Sequence, residues 1–390
     1  MLGYSSVASI EPQLPAPTGP SAVGTTIAYL VDATRKSQEF PNGRPITLQL
    51  WYPAAASESQ AATASYLVER GLAEALAAQG YYGLDDSAIA GWSTLRTHSH
   101  LDAKPLGGVH PLVSFSVGLG VLRANYTTIT EELASHGYVV ALVESPLAGM
   151  TMLPDGTLVQ ETTDRLEAAS EHRAAIDAWA ADVRFVLDGL AAKNTDSKIS
   201  AVGATIDWKR VAAMGHSSGG LAALQLAAVD ERVRAAIDLD GGLVTPKSEP
   251  LADFVANGAK RPSLMLRSKP INTDADFAKR GITREEWEKR GAAGKAALEA
   301  FAATSKASLT VASVAGTGHL SFSDAPFVMP STITRFGGKV IEARRGWLVI
   351  TSAIRAFLDD ALAAKPGNAL AVALKDTPEL ELQVQSPSVK

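Results

Sequence analysis

The stretch Val211-Ala-Ala-Met-Gly-His-Ser-Ser-Gly-Gly220-Leu-Ala-Ala-Leu224 decides how this chain is read. Short apolar residues run straight into a Gly-x-Ser-x-Gly turn. A stretch with Leu221, Leu224 and Ala228 on one helical face follows. This is a strand, a tight turn and a helix in immediate succession, with Ser217 on the turn. A serine held there takes a strained backbone conformation, and a side chain two residues before or after it would meet neighbouring backbone. Gly215 and Gly219 remove that collision. The turn points the Ser217 hydroxyl outward, and the N-terminus of the next helix offers N–H groups to a developing oxyanion. A register shifted to Ser218 puts His216 where glycine is needed, so Ser218 is the weaker nucleophile.

Working outward, apolar β-branched runs alternate with longer helical stretches, the pattern of an α/β fold with a mainly parallel central sheet flanked by helices. Upstream, strands are expected at Thr25–Val31, Ile46–Tyr52, Leu112–Val117 and Tyr138–Val143, with a helix at Thr127–His136 and another from about 171 to 192. Downstream, strands are expected at Val233–Leu239, Pro262–Leu266 and Leu309–Val314. A capping box, Thr283-Arg-Glu-Glu286, opens one helix, and an apolar-striped helix closes the rhythm from Arg345 to about Ala363. Residues 23–365 read as one domain with cap or loop insertions near 54–105, 144–170 and 243–282. The first insertion includes a helix near 64–79. A proline-rich lead-in covers 1–22, and the tail from 366 to 390 reads as loosely ordered.

Composition narrows the function classes. The 390 residues are 46% hydrophobic and 20% charged, as expected of a globular chain. A net charge of −5, with no long basic run, argues against nucleic acid as the main partner. The chain has no cysteine, which excludes disulfides, thiolate metal sites and a cysteine nucleophile. No apolar run is long enough to predict a transmembrane segment. Met1 to Ile10 lacks the pattern of a signal peptide.

A serine hydroxyl is a poor nucleophile near neutral pH and needs a base. Of seven histidines, His319 alone follows a late strand, in the Gly-flanked loop Ala315-Gly-Thr-Gly-His319. Loops after late parallel strands lie at the same sheet edge as the Ser217 turn. His216 adjoins the serine but points away and packs beneath the turn. The His98-x-His100 pair suggests a metal only superficially, since no carboxylates cluster around it; a surface loop is expected there. For the supporting acid, Asp240 is favoured at the end of the next strand, with Gly241 and Gly242 leaving room for a histidine. Asp238 lies deeper on that strand, where an ionised carboxylate is costly. Asp274 and Asp276 follow the strand after it, in a polar stretch. The loop Val117-Gly-Leu-Gly120 supplies the second oxyanion donor, with Leu119 N–H paired to Ser218 N–H.

At these residues the chain resembles the platelet-activating-factor acetylhydrolase-like branch of the α/β-hydrolases. The similarity runs from about Val23 to Phe322. It includes Val23-Gly-Thr-Thr26, Leu50-Trp-Tyr-Pro53, Pro111-Leu-Val-Ser-Phe-Ser-Val-Gly-Leu-Gly120, Leu133-Ala-Ser-His-Gly-Tyr138, Gly215-His-Ser-Ser-Gly-Gly220, Ile237-Asp-Leu-Asp240 and Gly318-His319. The resemblance implies the α/β-hydrolase fold, an acid at Asp240 and an oxyanion N–H at Leu119. It also implies a small-molecule carboxylic ester as substrate, with no metal or other cofactor. Short or oxidised acyl phospholipids are one such class, and an amidase or peptidase using the same triad is the alternative. Bacterial relatives often carry a signal peptide ahead of a proline-rich start, which implies an exported mature form. Two positions depart from the family pattern: Val117 stands where histidine is usual, and Glu144-Ser145-Pro146 replaces Glu-His-Arg. Both bear on the walls of the pocket.

Overall fold

The computed structural model describes residues 13–386, apart from 61, 161–167, 193–195, 246, 280, 338–339 and 366. The start, 1–12, and part of the loop expected after Glu144 therefore lie outside the described residues.

The strands, in chain order, are β1 Ala22–Asp32, β2 Arg44–Ala54, β3 Thr63–Ser65, β4 Arg96–Leu101, β5 His110–Ser116, β6 Val139–Glu144, β7 Thr151–Met152, β8 Leu158–Val159, β9 Ile206–His216, β10 Val233–Leu239, β11 Ser263–Lys269, β12 Leu309–Ala315 and β13 Leu380–Ser386. Strands β7 and β8 form a small separate hairpin, and the others join one sheet in the order β13-β12-β11-β10-β9-β5-β6-β2-β1-β4-β3. From β12 across to β6 every neighbouring pair is parallel. Covered on both faces, these central strands are buried along almost their whole length, which is why they read as unbroken apolar runs.

The helix Ser218–Val229 is buried nearly all round, because the helix Ala169–Ala192 packs across it while its inner side rests on β9 and β10. On the opposite face, Ala343–Ala361 lays Trp347, Ile350, Ile354 and Leu358 onto the sheet. The capping box forms as its spacing predicts: Thr283 accepts from Glu286 N–H, and the Glu286 carboxylate accepts from Thr283 N–H. Among the described residues no helix is long and apolar enough to cross a membrane.

Two expectations need correction. The helix expected near 64–79 is instead β3 followed by a short helix, Leu72–Ala78; Gly71, at φ 84°, breaks the run. The tail expected to be loosely ordered carries a helix, Ala369–Asp376, and the antiparallel edge strand β13. The Asp360 carboxylate accepts from the Ala369 and Leu370 N–H groups at 3.0 and 2.9 Å, and Gln383 donates to Ser313 on β12. The open edge of β12 is what orders a segment too short to show a strong pattern of its own. The part of the proline-rich lead-in from residue 13 packs on the body: Leu14 is buried, and Thr18 donates from both N–H and hydroxyl to Glu132 at 2.7 Å.

Candidate active site

β5, β9, β10 and β12 run in one direction, so their C-terminal ends open onto one edge of the sheet. Ser217 follows β9 directly, at φ 56° and ψ −129°, with its N–H bonded to the Leu239 carbonyl at 2.8 Å. That left-handed backbone is costly for a residue with a side chain, and the close packing around it maintains it. A Cβ on Gly215 would overlap the Gly219 carbonyl, and a Cβ on Gly219 would overlap the Ser116 and Val117 carbonyls. The glycines on either side of the serine are thus required by contact.

Asp240, immediately after β10, also has positive φ, 59°. Its carboxylate accepts from Ser268 N–H at 2.7 Å through one oxygen and faces His319 Nδ1 at 2.7 Å through the other. His319 Nε2 lies 3.0 Å from Ser217 Oγ. Burial pushes the Asp240 carboxyl up, but the hydrogen bond and charge of His319, the Ser268 N–H and the nearby Arg267 outweigh it, and the group stays below the usual carboxylate range. Asp240 is therefore held as an anion facing His319 Nδ1, and the other ring nitrogen, Nε2, faces the Ser217 hydroxyl.

Asp238 lies deeper, fully buried, with Arg267 at 3.3 Å. Burial pushes its carboxyl up to about 7 against the opposing charge of Arg267. Gly241 proves to be small for a different reason from the one expected: a Cβ there would meet the Asp238 carboxylate and the Ser217 carbonyl. Asp274 is an exposed residue of the short helix Asp274–Lys279, paired with Arg284 at 2.7 Å, and Asp276 caps Thr273 N–H. Neither approaches the histidine through any described hydrogen bond. His98 and His100 lie on β4 and not in a surface loop; His98 bonds the Leu14 carbonyl at 3.2 Å.

The loop after β5 is held from several directions. Gly118 N–H donates to Tyr126 Oη at 2.9 Å, Gly120 N–H to the Ala148 carbonyl at 2.7 Å, and Leu122 N–H to Tyr81 Oη at 3.2 Å. Leu119 N–H is left between engaged neighbours. Ser218 N–H, in the first turn of its helix, has no acceptor within the helix. Leu119 also borders a cavity of about 380 Å³ walled by Tyr81, Tyr82, Met150 and Gln160.

Four side chains near the site were not legible in the sequence. Tyr81 comes from a remote segment, and Tyr126 stands at the far end of the same loop. Arg123, buried, binds Glu69, Gln49 and Glu144 and so anchors the far end of the loop. His172, on Ala169–Ala192, places Nε2 3.0 Å from Ser218 Oγ, and burial lowers its pKa. His216 lies beneath the turn as its position implies. Burial first, then the proximity of His319, pushes its pKa down to about 3, so the ring is neutral. Among the described residues no cluster of His, Asp or Glu side chains is placed to hold a metal ion.

A mainly parallel sheet flanked by helices, with a strained serine turn at its C-terminal edge, defines an α/β-hydrolase. A solved structure described as ferulic acid esterase from Streptomyces cinnamoneus matches it with TM-score 0.73 and 27% identity, over 96% of this chain and 100% of that one. The family model for platelet-activating factor acetylhydrolase, isoform II, matches residues 6–149 and 189–372, and the chain belongs to that family. Platelet-activating factor acetylhydrolase of Cavia porcellus is 26% identical over 293 residues, 68% of this chain and 63% of its own length. That of Gallus gallus is 25% identical over 362 residues, 83% of this chain and 77% of its own length. The chain thus spans rather less than two thirds of the guinea-pig relative.

Proposed function

We propose that this chain is a serine carboxylic ester hydrolase acting on short- to medium-chain esters, with Ser217 as nucleophile, His319 as base and Asp240 as supporting acid. One observation carries the reading: a single imidazole bridges the strained Ser217 hydroxyl, at 3.0 Å, and a carboxylate held as an anion, at 2.7 Å. Ser217 Oγ attacks the ester carbonyl as His319 Nε2 takes its proton. Leu119 and Ser218 N–H groups receive the oxyanion, and the imidazolium, steadied by Asp240, protonates the departing alcohol. Water, activated by the same imidazole, then cleaves the acyl-enzyme and regenerates Ser217. The names borne by the family and by the Streptomyces neighbour support ester chemistry.

A second reading concerns the acyl group. The neighbour is named for an aromatic acid, and the cavity beside Leu119 is walled partly by Tyr81 and Tyr82. Esters of aromatic acids therefore belong in the substrate panel alongside short-acyl phospholipids. The test is hydrolysis of p-nitrophenyl esters from acetyl to palmitoyl by wild type and Ser217→Ala. Serine-dependent activity falling with chain length is expected, and Ser217→Ala should lose about a million-fold in kcat. Comparable turnover by the folded variant would sink the assignment. A matched anilide series separates esterase from amidase.

A further inference from the structure

The mechanism above uses neither His216 nor Tyr126, yet both are fully buried between its working parts. His216 Nε2 lies 2.9 Å from the His319 carbonyl oxygen, which can only accept, so Nε2 carries the ring proton. That leaves Nδ1 bare, and Tyr126 Oη, 2.9 Å away, must donate to it. The same Oη accepts from Gly118 N–H at 2.9 Å. The bonds therefore run in one direction, from the loop that presents Leu119 N–H to the backbone of His319 itself. The rings pack accordingly: His216 lies 4.6 Å from the His319 ring, and Tyr126 4.9 Å from Phe115. A Cβ on Gly118 would sit 2.8 Å from His216 Nδ1, so the glycine belongs to this arrangement too.

We propose that Tyr126 and His216 are positioning residues, forming a strut from Gly118 N–H through Tyr126 Oη and the His216 imidazole to the His319 carbonyl. The strut fixes the distance between the oxyanion loop and the base. It rests on the reading of Ser217 as nucleophile. Both ends act on groups whose placement matters most in the transition state, where small displacements of donor or base cost rate more than substrate binding. A neutral ring suits the task, since it keeps one tautomer while His319 gains and loses its proton.

The test compares Tyr126→Phe, which keeps the ring and deletes Oη, with His216→Gln, which retains a donor towards His319 but not the Nδ1 acceptor. On p-nitrophenyl butyrate each should lower kcat by about 10–100-fold with KM unchanged. Because both interrupt one chain, the double variant should fall no further than the worse single one. Tyr138→Phe, which deletes a phenol bond to Asp359 ahead of β6, at the opposite end of the sheet, is the control and should keep wild-type kcat. Imidazole nitrogen NMR of the wild type should show His216 as the Nε2–H tautomer, a readout that stands even where a variant fails to fold. Folded variants with kcat within about twofold of wild type, losses that multiply in the double variant, or an Nδ1–H tautomer would each overturn the strut. Fluorophosphonate labelling of wild type keeps the two readings apart. Labelled Ser217 with unaffected variants defeats the strut alone, and absence of labelling removes the nucleophile on which it rests.

Discussion

On one flank of the candidate site, β9, β10 and β12 deliver Ser217, Asp240 and His319 from short turns, and close backbone packing holds those turns in shape. On the other flank, the loop after β5 depends on side-chain bonds: Tyr81, Glu69 and Glu144 reach it from other segments, and Arg123 and Tyr126 stand at its own far end. The serine-turn flank is stiff because backbone meets backbone, with positive φ at Ser217 and Asp240 and no room for a Cβ at Gly215 or Gly219. The flank after β5 is held by individual side chains instead.

The contrast can be broken most severely at Asp240. Asp240→Asn should leave the protein folded but favour the wrong His319 tautomer, lowering kcat by about 10⁴-fold on p-nitrophenyl butyrate. Asp274→Asn should leave kcat unchanged, since Asp274 is an exposed partner of Arg284. Equal losses in the two variants would displace Asp240 from its role.

A stability test comes next in size. Gly215→Ala forces a methyl into the Gly219 carbonyl and should cost at least the upper end of the about 1–3 kcal/mol typical of overpacking, read from the urea midpoint. Unchanged stability would show that the turn is more pliable than its contacts imply.

The smallest effect lies where the helix Thr127–Ser135 meets β4: the buried Glu131 accepts from His98 N–H at 2.7 Å and from Ser99 Oγ. Burial pushes its carboxyl up to about 7, despite those donors. An unfolded glutamate ionises near 4.5. Between these values the folded state holds a proton that the unfolded state has lost, so rising pH favours unfolding until the folded group also ionises. Wild-type Tm should therefore fall as pH rises from about 5 to about 7, and Glu131→Gln should fall less steeply. Parallel curves for the two proteins would place the pH dependence elsewhere.

How much of this was legible depended on how local the cause was. The β10 strand was read residue for residue, and the capping box at Thr283 needed only its own four-residue pattern. The run 64–79 was misread because apolar spacing alone cannot show where Gly71 turns the chain. The tail was misread because β13 alternates too briefly to be recognised without the β12 edge beside it. At the site, the serine turn carries its own steric signature. Nothing near Tyr126 or His172 in the sequence marks them as neighbours of the turn.

The sequence by itself determined the layered α/β plan and the residues from which a base and an acid could be drawn, because parallel strands put successive loops at one edge and glycine marks where backbone must approach backbone. Only the tertiary structure decided that Gly241 makes room for Asp238, that Tyr126 and His216 tie the loop after β5 to His319, and that Leu380–Ser386 forms an edge strand. Apart from Gly241 against Asp238, three residues away, those are contacts between segments distant in the chain. Their bonds depend on which donor meets which acceptor after the sheet has assembled, and a linear pattern does not hold that information.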